Sequence, residues 1–495
     1  MINNKGFNLK NLKYFVVLGI VSSLSVNATS LRNSVEDTLN SNPSIIAEHL
    51  NRDAYKMYVK QEKADYLPTL NLDAYYQYAR LEKNPSSNTP EEGWSTNEGW
   101  NSILKLEQVL YDGGLTSSQV LEYKHKYTSN KYRSLYEVEN TILDTVNAYI
   151  DLVSRQELVA LSKHNITTHE KYLEMAKEKE EISGEILETY QVQSKYHSVL
   201  DSFYEQENEQ TQALNLYEQF VGKELEGDIC RPAVNKSFLP TTIEEAVKEG
   251  LRRSYKLKEQ IAKTKEQSAK ITQERAGYQP TLKLQLQAEL DNDIELEENG
   301  RQDTYSARLY LSWNLFQGGK TYYMTEKERI FLKEEQKKID VITREVTLEI
   351  RNAYNTFYNF EKRIKNIELY EEDNFNILKT YKKQLADGTR TFIDILNAEA
   401  ELYRSSIQKI EQKFDYIESY YELLFNMSML SDVILMQDKQ TCDRYKFIPK
   451  DSDVKEDSSN DSLSEDLLNM FEETPVEDST QIKEDENRLQ NLYNN

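Results

Sequence analysis

The side chains that most often carry out catalysis or bind metal ions are few and poorly spaced in this sequence. Its five histidines stand at positions 49, 125, 164, 169 and 197. His164 and His169 are five residues apart, whereas two histidines that share one face of a helix lie four apart. No H-E-x-x-H, G-x-S-x-G or phosphate-binding glycine motif is present. The sequence therefore predicts a protein that is not an enzyme and that has no metal site and no cofactor.

The N-terminus has the pattern of an export signal. Lys5, Lys10 and Lys13 precede an apolar run from Tyr14 to Val26, and small residues follow at the expected cleavage point. We therefore predict a signal peptide over residues 1–28. The rest of the chain has a mean hydropathy too low for apolar membrane helices, since the value for all 495 residues is −0.75, and no internal run approaches the roughly 18 apolar residues that such a helix needs.

Charge is unevenly distributed along the chain, whose net charge is −23. Residues 451–495 contain 14 acidic and three basic side chains, a net charge of −11, with little apolar content. Such a composition predicts a disordered acidic tail. Because an acidic chain without a basic stripe repels phosphate backbones, nucleic acid is not expected as a partner.

The sequence contains an internal duplication. Shifting it by 212 positions superposes ADYLPTLNL (64–72) on AGYQPTLKL (276–284), and a shift of 205 superposes Gly113 and Gly114 on Gly318 and Gly319. A repeat of this length determines the architecture, because each half must then form the same set of elements.

Each half contains a pair of segments with alternating polarity. From Leu282 to Leu290 every second residue is apolar and the residues between are polar, and the segment around Leu309 alternates in the same way. Segments of about ten residues with one apolar and one polar face are typical of membrane β-barrel strands. A soluble antiparallel sheet with one solvated face would give the same alternation.

The remainder of each half predicts a long helical hairpin. All nine prolines lie outside residues 115–221 and 320–430, and Gly184 and Gly388 are the only glycines inside them. Since proline breaks helices and glycine weakens them, each window is interpreted as two helices that meet at one glycine turn. The pairs Gly113–Gly114 and Gly318–Gly319 are then the joints at which a strand gives way to a helix.

Four strands per chain cannot close a barrel, and an open edge in lipid leaves backbone groups without partners. The chain must therefore oligomerise. Two copies would give eight strands with a filled interior, whereas three would give twelve and begin to leave a lumen.

With these elements in place, the sequence resembles a known family. The two strand pairs, the Gly-Gly joints and the motif DGTRTFIDILNAEAELYRS (387–405) are similar to those of the TolC-like outer membrane efflux proteins over roughly residues 31–430. The resemblance implies an α+β membrane protein. It implies a homotrimer whose twelve-stranded β-barrel, four strands from each chain, lies in outer membrane lipid and is continued by a long α-helical coiled-coil barrel in the periplasm.

The predicted organisation combines the repeat with this resemblance. It consists of a signal peptide 1–28; repeat 1, 29–229, with an N-terminal helix, strands 69–80 and 102–111 and hairpin 115–221; an equatorial connector 230–241; repeat 2, 242–430, with a helix, strands 281–291 and 305–316 and hairpin 320–430; an equatorial segment 431–450; and the tail 451–495.

The function implied by the resemblance is passive conduction. The protein would be the exit duct of a tripartite efflux or type I secretion system, receiving small toxic compounds or a secreted protein from a periplasmic adaptor and an inner membrane transporter. The alternative is a trimeric adhesive or structural surface protein with a barrel anchor and a coiled coil. The two differ in whether the helices project into the periplasm or outward.

The resemblance also implies a gate at the ends of the hairpins. In the family an arginine and acidic residues hold this end closed, and the matching residues here are Gly388, Arg390 and Asp394. Asn397 stands where a second acidic residue is often found. Glu188, just after the turn at Gly184, is the expected acidic partner on the first hairpin, and Leu385 replaces a tyrosine one turn before the glycine. Without a gate, Arg390 and Asp394 would be an ordinary surface pair four residues apart.

The only two cysteines are Cys230 and Cys442. In the implied architecture both fall in the equatorial belt, and an exported chain meets an oxidising compartment in which cysteine pairs tend to form bridges. A Cys230–Cys442 disulfide and two unpaired thiols are both compatible with the sequence, because sequence position does not fix the distance between the two residues.

Overall fold

The computed structural model describes residues 28–83, 93–294 and 300–436. Within them the chain runs through α1 (Leu31–Ser41), α2 (Pro43–Ala64), β1 (Thr69–Lys83), β2 (Gly93–Tyr111), α3 (Leu115–Ser183), α4 (Ile186–Val221), α5 (Ile243–Arg253), α6 (Tyr255–Ala276), β3 (Thr281–Asn292), β4 (Arg301–Ser312), α7 (Lys320–Ala386), α8 (Phe392–Asn426) and α9 (Leu430–Met436). The order helix, helix, strand, strand, long helix, helix occurs twice. The two halves therefore have the same architecture, as the duplication predicts.

The segment before each strand pair is two helices, so the single helix predicted there is wrong in both halves. Asn42 separates α1 from α2, and its side chain accepts a hydrogen bond from the Ser44 amide at 2.9 Å. Ser254 separates α5 from α6 and accepts from the Leu257 amide at 3.3 Å. Short polar side chains favour such N-cap positions, and Pro43 fits the first turn of α2 because it has no amide hydrogen to leave unpaired.

The four strands form one antiparallel sheet in the order β1-β2-β3-β4. The central β2–β3 pair joins the two repeats. The strands β1 and β2 are longer than predicted, and the range 305–316 is wrong for the fourth strand, which begins at Arg301 and ends at Ser312. Its last pairing is Ser312 with Thr281, the first residue of β3. Pro280 precedes Thr281 and has no amide hydrogen with which to continue the ladder.

The register places apolar residues on one face of the sheet and polar residues on the other. One row across the apolar face is Leu72, Leu104, Ala288 and Tyr305, and one row across the polar face is Asn71, Lys105, Gln287 and Ser306. The apolar face is solvent-exposed in a single chain, since Leu72 is 68% exposed and Tyr305 is 73% exposed. A sheet with this exposed apolar face needs an apolar environment.

A long helix follows each strand pair, with residues 112–114 between β2 and α3 and residues 313–319 between β4 and α7. α3 has 69 residues and α7 has 67, so each extends for roughly 100 Å. Each pairs with the shorter helix that follows it, α3 with α4 and α7 with α8. Across the described parts of the chain, none of the helices combines the length and the apolar character required to span a bilayer.

The main hydrophobic core lies around the midpoint of these helices, where α1, α9 and the connector, residues 230–241, pack against them. Four tyrosine hydroxyls donate hydrogen bonds to carbonyl oxygens of the connector: Tyr149 to Cys230 (2.5 Å), Tyr421 to Ala233 (3.1 Å), Tyr420 to Asn235 (2.9 Å) and Tyr354 to Thr241 (3.0 Å). At the edge of the core Arg231 donates three hydrogen bonds to the buried carboxylate of Glu157, at 2.5, 2.6 and 2.9 Å. The connector is thus fixed to the helices mainly through its backbone.

A buried carboxylate positions α9. Glu139, 3% exposed on α3, accepts a hydrogen bond from the Ser431 amide at 3.3 Å and pairs with the Ser431 hydroxyl. Burial raises the pKa of Glu139 to about 7. Of the predicted segment 431–450 only residues 431–436 are described, and they belong to α9. The predicted tail 451–495 and almost all of the predicted signal peptide lie outside the described residues.

Candidate functional site: the ends of the helical hairpins

The turn between α7 and α8 is fixed by its backbone. Gly388 has a φ of 69°, its amide donates to the Leu385 carbonyl at 3.0 Å, and the Thr389 amide donates to the Gln384 carbonyl at 2.9 Å. This is a Schellman motif, in which glycine supplies the left-handed residue. Gly388 is therefore the turn residue that the sequence predicts, and it ends α7 at a defined position.

Arg390 lies in this turn and not on α8, which begins at Phe392. Its Nε donates to Gln384 Oε1 at 3.0 Å, and its guanidinium lies 4.3 Å from the centre of the Tyr381 ring. The distance from Arg390 to Asp394 is longer, 3.8 Å between charged atoms. Arg390 thus binds mainly to the last two turns of α7. The aromatic ring beside Arg390 is therefore that of Tyr381. Leu385, which stands where the family has a tyrosine, packs in the apolar cluster of the hairpin ends.

Asp394 caps α8. Its Oδ2 accepts hydrogen bonds from the Thr391 amide at 3.1 Å and the Thr391 hydroxyl at 2.9 Å, and the Thr391 side chain in turn caps the Asp394 amide. This is a capping box with aspartate at the third position. The hydrogen bonds from Thr391 hold the pKa of Asp394 below its usual range. Asn397, one turn later, is exposed.

The first hairpin ends in a shorter turn. Gly184, with a φ of 75°, ends α3, and α4 begins two residues later at Ile186. Glu188 pairs with Lys179 of the same hairpin at 2.5 Å. The resemblance makes Glu188 the acidic partner in the gate, but within one chain Lys179 is its partner. The end of this hairpin is also apolar and open, since Ile182 is 90% exposed.

The two hairpins are joined above their ends by contacts that the sequence does not predict. Tyr172 on α3 donates to the buried Glu399 on α8 at 2.5 Å, and Lys382 on α7 reaches the same carboxylate at 3.1 Å. An apolar cluster that includes Val192 and Phe392 surrounds this contact. Glu399 is a buried acid whose two partners lie on other helices, and no local spacing reveals such an arrangement.

His169, one turn before Tyr172, is buried and forms a hydrogen bond to the Asn165 carbonyl at 3.0 Å. Burial lowers the pKa of His169, which favours the neutral ring. Across the described residues no group of three or more His, Cys, Asp or Glu side chains is arranged to hold a metal ion. The charged side chains at the hairpin ends bind neighbouring residues and hold the helices together.

All four glycines of the two joints adopt the left-handed conformation. The φ angles of Gly113, Gly114, Gly318 and Gly319 lie between 62° and 86°. At Gly113 a β-carbon would also lie 2.4 Å from the Gln279 side chain, whereas nothing lies within 4 Å at Gly318. The two joints are alike in conformation but differ in packing.

Cys230 lies in the connector, is 5% exposed and is disulfide-bonded. Cys442 lies outside the described residues. The bridge between the two therefore remains a proposal that is compatible with the state of Cys230.

Comparisons with known proteins give a consistent result. A family model described as outer membrane efflux protein matches residues 35–222 and 246–425. The chain is 24% identical over 445 residues to the outer membrane protein TolC of Vibrio cholerae, covering 86% of this chain and 97% of that one. It is 22% identical over 346 residues to the alkaline protease secretion protein AprF of Pseudomonas aeruginosa, covering 68% and 70%.

Two solved structures share the fold. The CmeC outer membrane channel of Campylobacter jejuni superposes with a TM-score of 0.68 at 16% identity, covering 81% of this chain and 86% of that one. The outer membrane protein VceC of Vibrio cholerae gives a TM-score of 0.67 at 16% identity, covering 80% and 96%.

Proposed function

Because this chain belongs to the outer membrane efflux protein family, we propose that it is the exit duct of a tripartite efflux or type I secretion system. It lies in the outer membrane, with its helices in the periplasm. It conducts its cargo passively, while an inner membrane transporter and a periplasmic adaptor supply energy and substrate. The family match favours this function over an adhesive surface protein.

The observation that carries the proposal is the sheet and its continuation. Its apolar face is exposed in one chain and its polar face bears charged and amide side chains. Lipid outside and water inside satisfy both faces at once. Each strand pair is followed, after a short segment that ends in a Gly-Gly joint, by a helix of roughly 100 Å, so a channel through the sheet continues between the helices.

The sheet also indicates how the channel closes. β1 and β4 each pair on one side only within the described chain, which leaves two open edges. An open edge in lipid is unfavourable, so β4 of one copy pairs with β1 of the next. Three copies give a twelve-stranded barrel wide enough to leave a lumen.

The duplication suggests which helices meet at the interface between neighbouring copies. α6 packs against both α3 and α7, whereas its counterpart α2 packs mainly against α3. Ala262 and Ala269 of α6 are 3% exposed, but Leu50 and Met57, the equivalent residues of α2, are 65% and 49% exposed.

The open side of α2 requires a partner, and the repeat supplies one. Tyr136 of α3 lies against α6, where Lys256 contacts its ring at 5.2 Å. The equivalent residue of α7 is Val341, which is 61% exposed. We infer that α2 packs against α7 of the next copy in the same way that α6 packs against α3 within one chain. Three such contacts between copies close a homotrimer.

The hairpin ends form the periplasmic gate of this duct. Arg390, Asp394 and Gly388 fix the second hairpin turn, and Tyr172 with Glu399 joins the two hairpins just above it. Opening the end of the duct requires these contacts to change. They therefore set the free energy of the closed state.

Single-channel conductance in planar bilayers tests the proposal. The purified full-length protein should insert and give discrete, uniform current steps. An adhesin with a plugged barrel should give almost none. Purified trimers that insert without conducting, even when the hairpin contacts are weakened, would refute the conduit function.

A further inference from the structure

The polar face of the sheet carries its charges unevenly. Towards the helices, Lys105 forms an ion pair with Glu107 at 2.7 Å, and Lys283 and Arg308 lie on the same face. Further towards the loops, two successive rows of that face carry three carboxylates: Asp73 and Glu289 in one row, and Asp291 in the next. Neither of these two rows contains a lysine or an arginine on any of the four strands.

Asn101 is buried within this acidic part of the face. It is 3% exposed, stands directly opposite Asp291 on β3, and its Nδ2 donates to Glu289 Oε1 at 2.9 Å. Its side-chain oxygen is also buried and has no hydrogen-bond donor. A buried acceptor without a donor is unfavourable, since it loses its hydration without compensation.

The neighbouring amides fix Glu289 in place. Gln285 donates to Gln287 at 3.1 Å, and Gln287 donates to the second oxygen of Glu289 at 3.1 Å. Glu289 is therefore held from two sides by side-chain amides. Such a network fixes the orientation of a ligand carboxylate in the way that outer partners do at metal sites.

The backbone closes this region on the loop side. A β-carbon on Gly99, two residues before Asn101 on the same face, would lie 2.2 Å from the Asp293 carbonyl oxygen and 2.4 Å from that of Asn292. The chain leaving β3 thus folds over β2 next to Asn101, and glycine is required there. Two backbone carbonyl oxygens thus lie beside Gly99.

From these contacts we propose that Asn101, Glu289 and Asp291 bind a divalent cation, Ca²⁺ or Mg²⁺, on the polar face of the sheet. Directly opposite residues have β-carbons about 4.5–5.5 Å apart and diagonal ones about 7–8 Å apart, so the three side chains can reach one ion. Carboxylate and amide oxygens are the ligands that these cations prefer.

The site uses two carboxylates and one amide oxygen, with water to complete the shell. The ion would coordinate the Asn101 oxygen, which has no hydrogen-bond donor, and would neutralise the charge of the two carboxylates. Because Asn101 lies on β2 and the carboxylates on β3, the ion fastens repeat 1 to repeat 2. All ligands belong to one chain, so the site does not depend on the proposed function.

The test is isothermal titration of the full chain in detergent, freed of metal with EDTA and then dialysed, with CaCl₂ and MgCl₂ at constant ionic strength. We expect saturable binding of one ion per chain, with a dissociation constant of roughly 10⁻⁴–10⁻³ M, the range of sites with few carboxylates. Asp291→Asn should weaken it about tenfold or more, since ligand charge sets affinity. Glu107→Gln, the control on the same face, should bind as the parent does.

A second variant tests the site by a gain of affinity, which a misfolded protein would not show. Asn101→Asp adds a third carboxylate, so it should bind Ca²⁺ about tenfold more tightly and show a larger calcium-dependent rise in unfolding temperature than the parent. The proposal is overturned if the parent gives no saturable heat, if Asp291→Asn binds as well as the parent, or if Glu107→Gln weakens binding equally. An Asn101→Asp variant that folds but binds no more tightly would also contradict it.

Discussion

Arg390 makes contacts of three kinds at the second hairpin turn: a hydrogen bond to Gln384, a stacked position on Tyr381 and a longer ion pair with Asp394. The first two hold the turn to α7. The third joins it to the first turn of α8. Removing the guanidinium therefore loosens the junction of the two helices without touching the glycine that shapes it.

We expect Arg390→Ser to raise the open probability of the channel. A stacked cation at such a site contributes about 0.5–1 kcal/mol, and a loss of about 1 kcal/mol from the closed form shifts the open-to-closed ratio about fivefold. Single-channel recordings at fixed salt measure this. Arg404→Ser, which removes an exposed pair with Glu401 elsewhere on α8, is the matched control and should behave as the parent. A trimeric Arg390→Ser protein with unchanged open probability would contradict the gate.

For single residues, the sequence predicts where the turn and the charged side chains lie better than it predicts which side chains they contact. The motif places a turn at Gly388 and charges at Arg390 and Asp394, and these lie together in the structure. The partners Tyr381 and Lys179 depend on the rotation of each helix about its axis and on how two antiparallel helices align. Those quantities follow from packing along the whole hairpin, so local spacing could not identify them.

Among the elements, the two strand-to-helix joints provide a matched pair. Both Gly113 and Gly318 have a positive φ, which costs an alanine about 1–2 kcal/mol. Only Gly113 faces a close neighbour, because a β-carbon added there would lie 2.4 Å from the Gln279 side chain. We expect Gly113→Ala to lower the unfolding temperature clearly more than Gly318→Ala. Differential scanning calorimetry of both variants checks this, and equal shifts would show that backbone strain alone governs the joints.

The attachment of α9 should depend on pH. Burial raises the pKa of Glu139 to about 7, above its ordinary value of 4.5. The folded protein therefore keeps a proton that the unfolded chain has released, and this contribution to stability is lost as the pH rises from about 4.5 to about 7. A shift of this size corresponds to about 3 kcal/mol.

Glu139→Gln removes the titrating group while keeping hydrogen-bonding atoms near Ser431. We expect its free energy of unfolding to fall less than that of the parent between pH 5 and pH 8, as measured by chemical unfolding. Glu137→Gln, two residues away on α3, should follow the parent. Parallel pH profiles for parent and Glu139→Gln would mean that Glu139 is not protonated in the folded state.

Helices and strands are well predicted where a single sequence feature determines their extent. The absence of proline and glycine indicates the extents of α3 and α7, because these two residues are the strongest helix breakers. Predictions fail where a local cap or the position of a partner strand sets the boundary. The break at Ser254 depends on a capping contact within an otherwise continuous polar pattern, and the end of β4 at Ser312 depends on where its partner strand begins.

At the scale of the whole molecule, the open side of α2 should control assembly. Leu50 is 65% exposed in one chain and corresponds to the buried Ala262. We expect Leu50→Glu to convert trimers to monomers, because it places a charge in the α2–α7 interface. Light scattering after size exclusion in detergent measures the mass. Ile182→Glu, at the exposed hairpin end, should leave the trimer intact, and a trimeric Leu50→Glu protein would place the interface elsewhere.

The connector should also be tied covalently to the end of the chain. Cys230 is disulfide-bonded, and Cys442 is the only other cysteine in the sequence. We expect a crosslinked Cys230–Cys442 peptide in a non-reduced digest analysed by mass spectrometry. Reduction should lower the unfolding free energy by about 2–5 kcal/mol. Alkylation of both thiols in protein prepared without reductant would exclude the bridge.

The tyrosine hydroxyls that hold the connector donate to its carbonyl oxygens, and Tyr149 also donates to the Thr29 carbonyl. Every amino acid carries the same carbonyl group, so replacing a connector side chain leaves these anchors intact. Apart from Cys230, Arg231 and the buried Leu239, the attachment of this segment therefore does not depend on which side chains it carries. Over evolutionary time its outward-facing side chains can diverge, and the surface that they offer can be remodelled, while the helices beneath keep their arrangement.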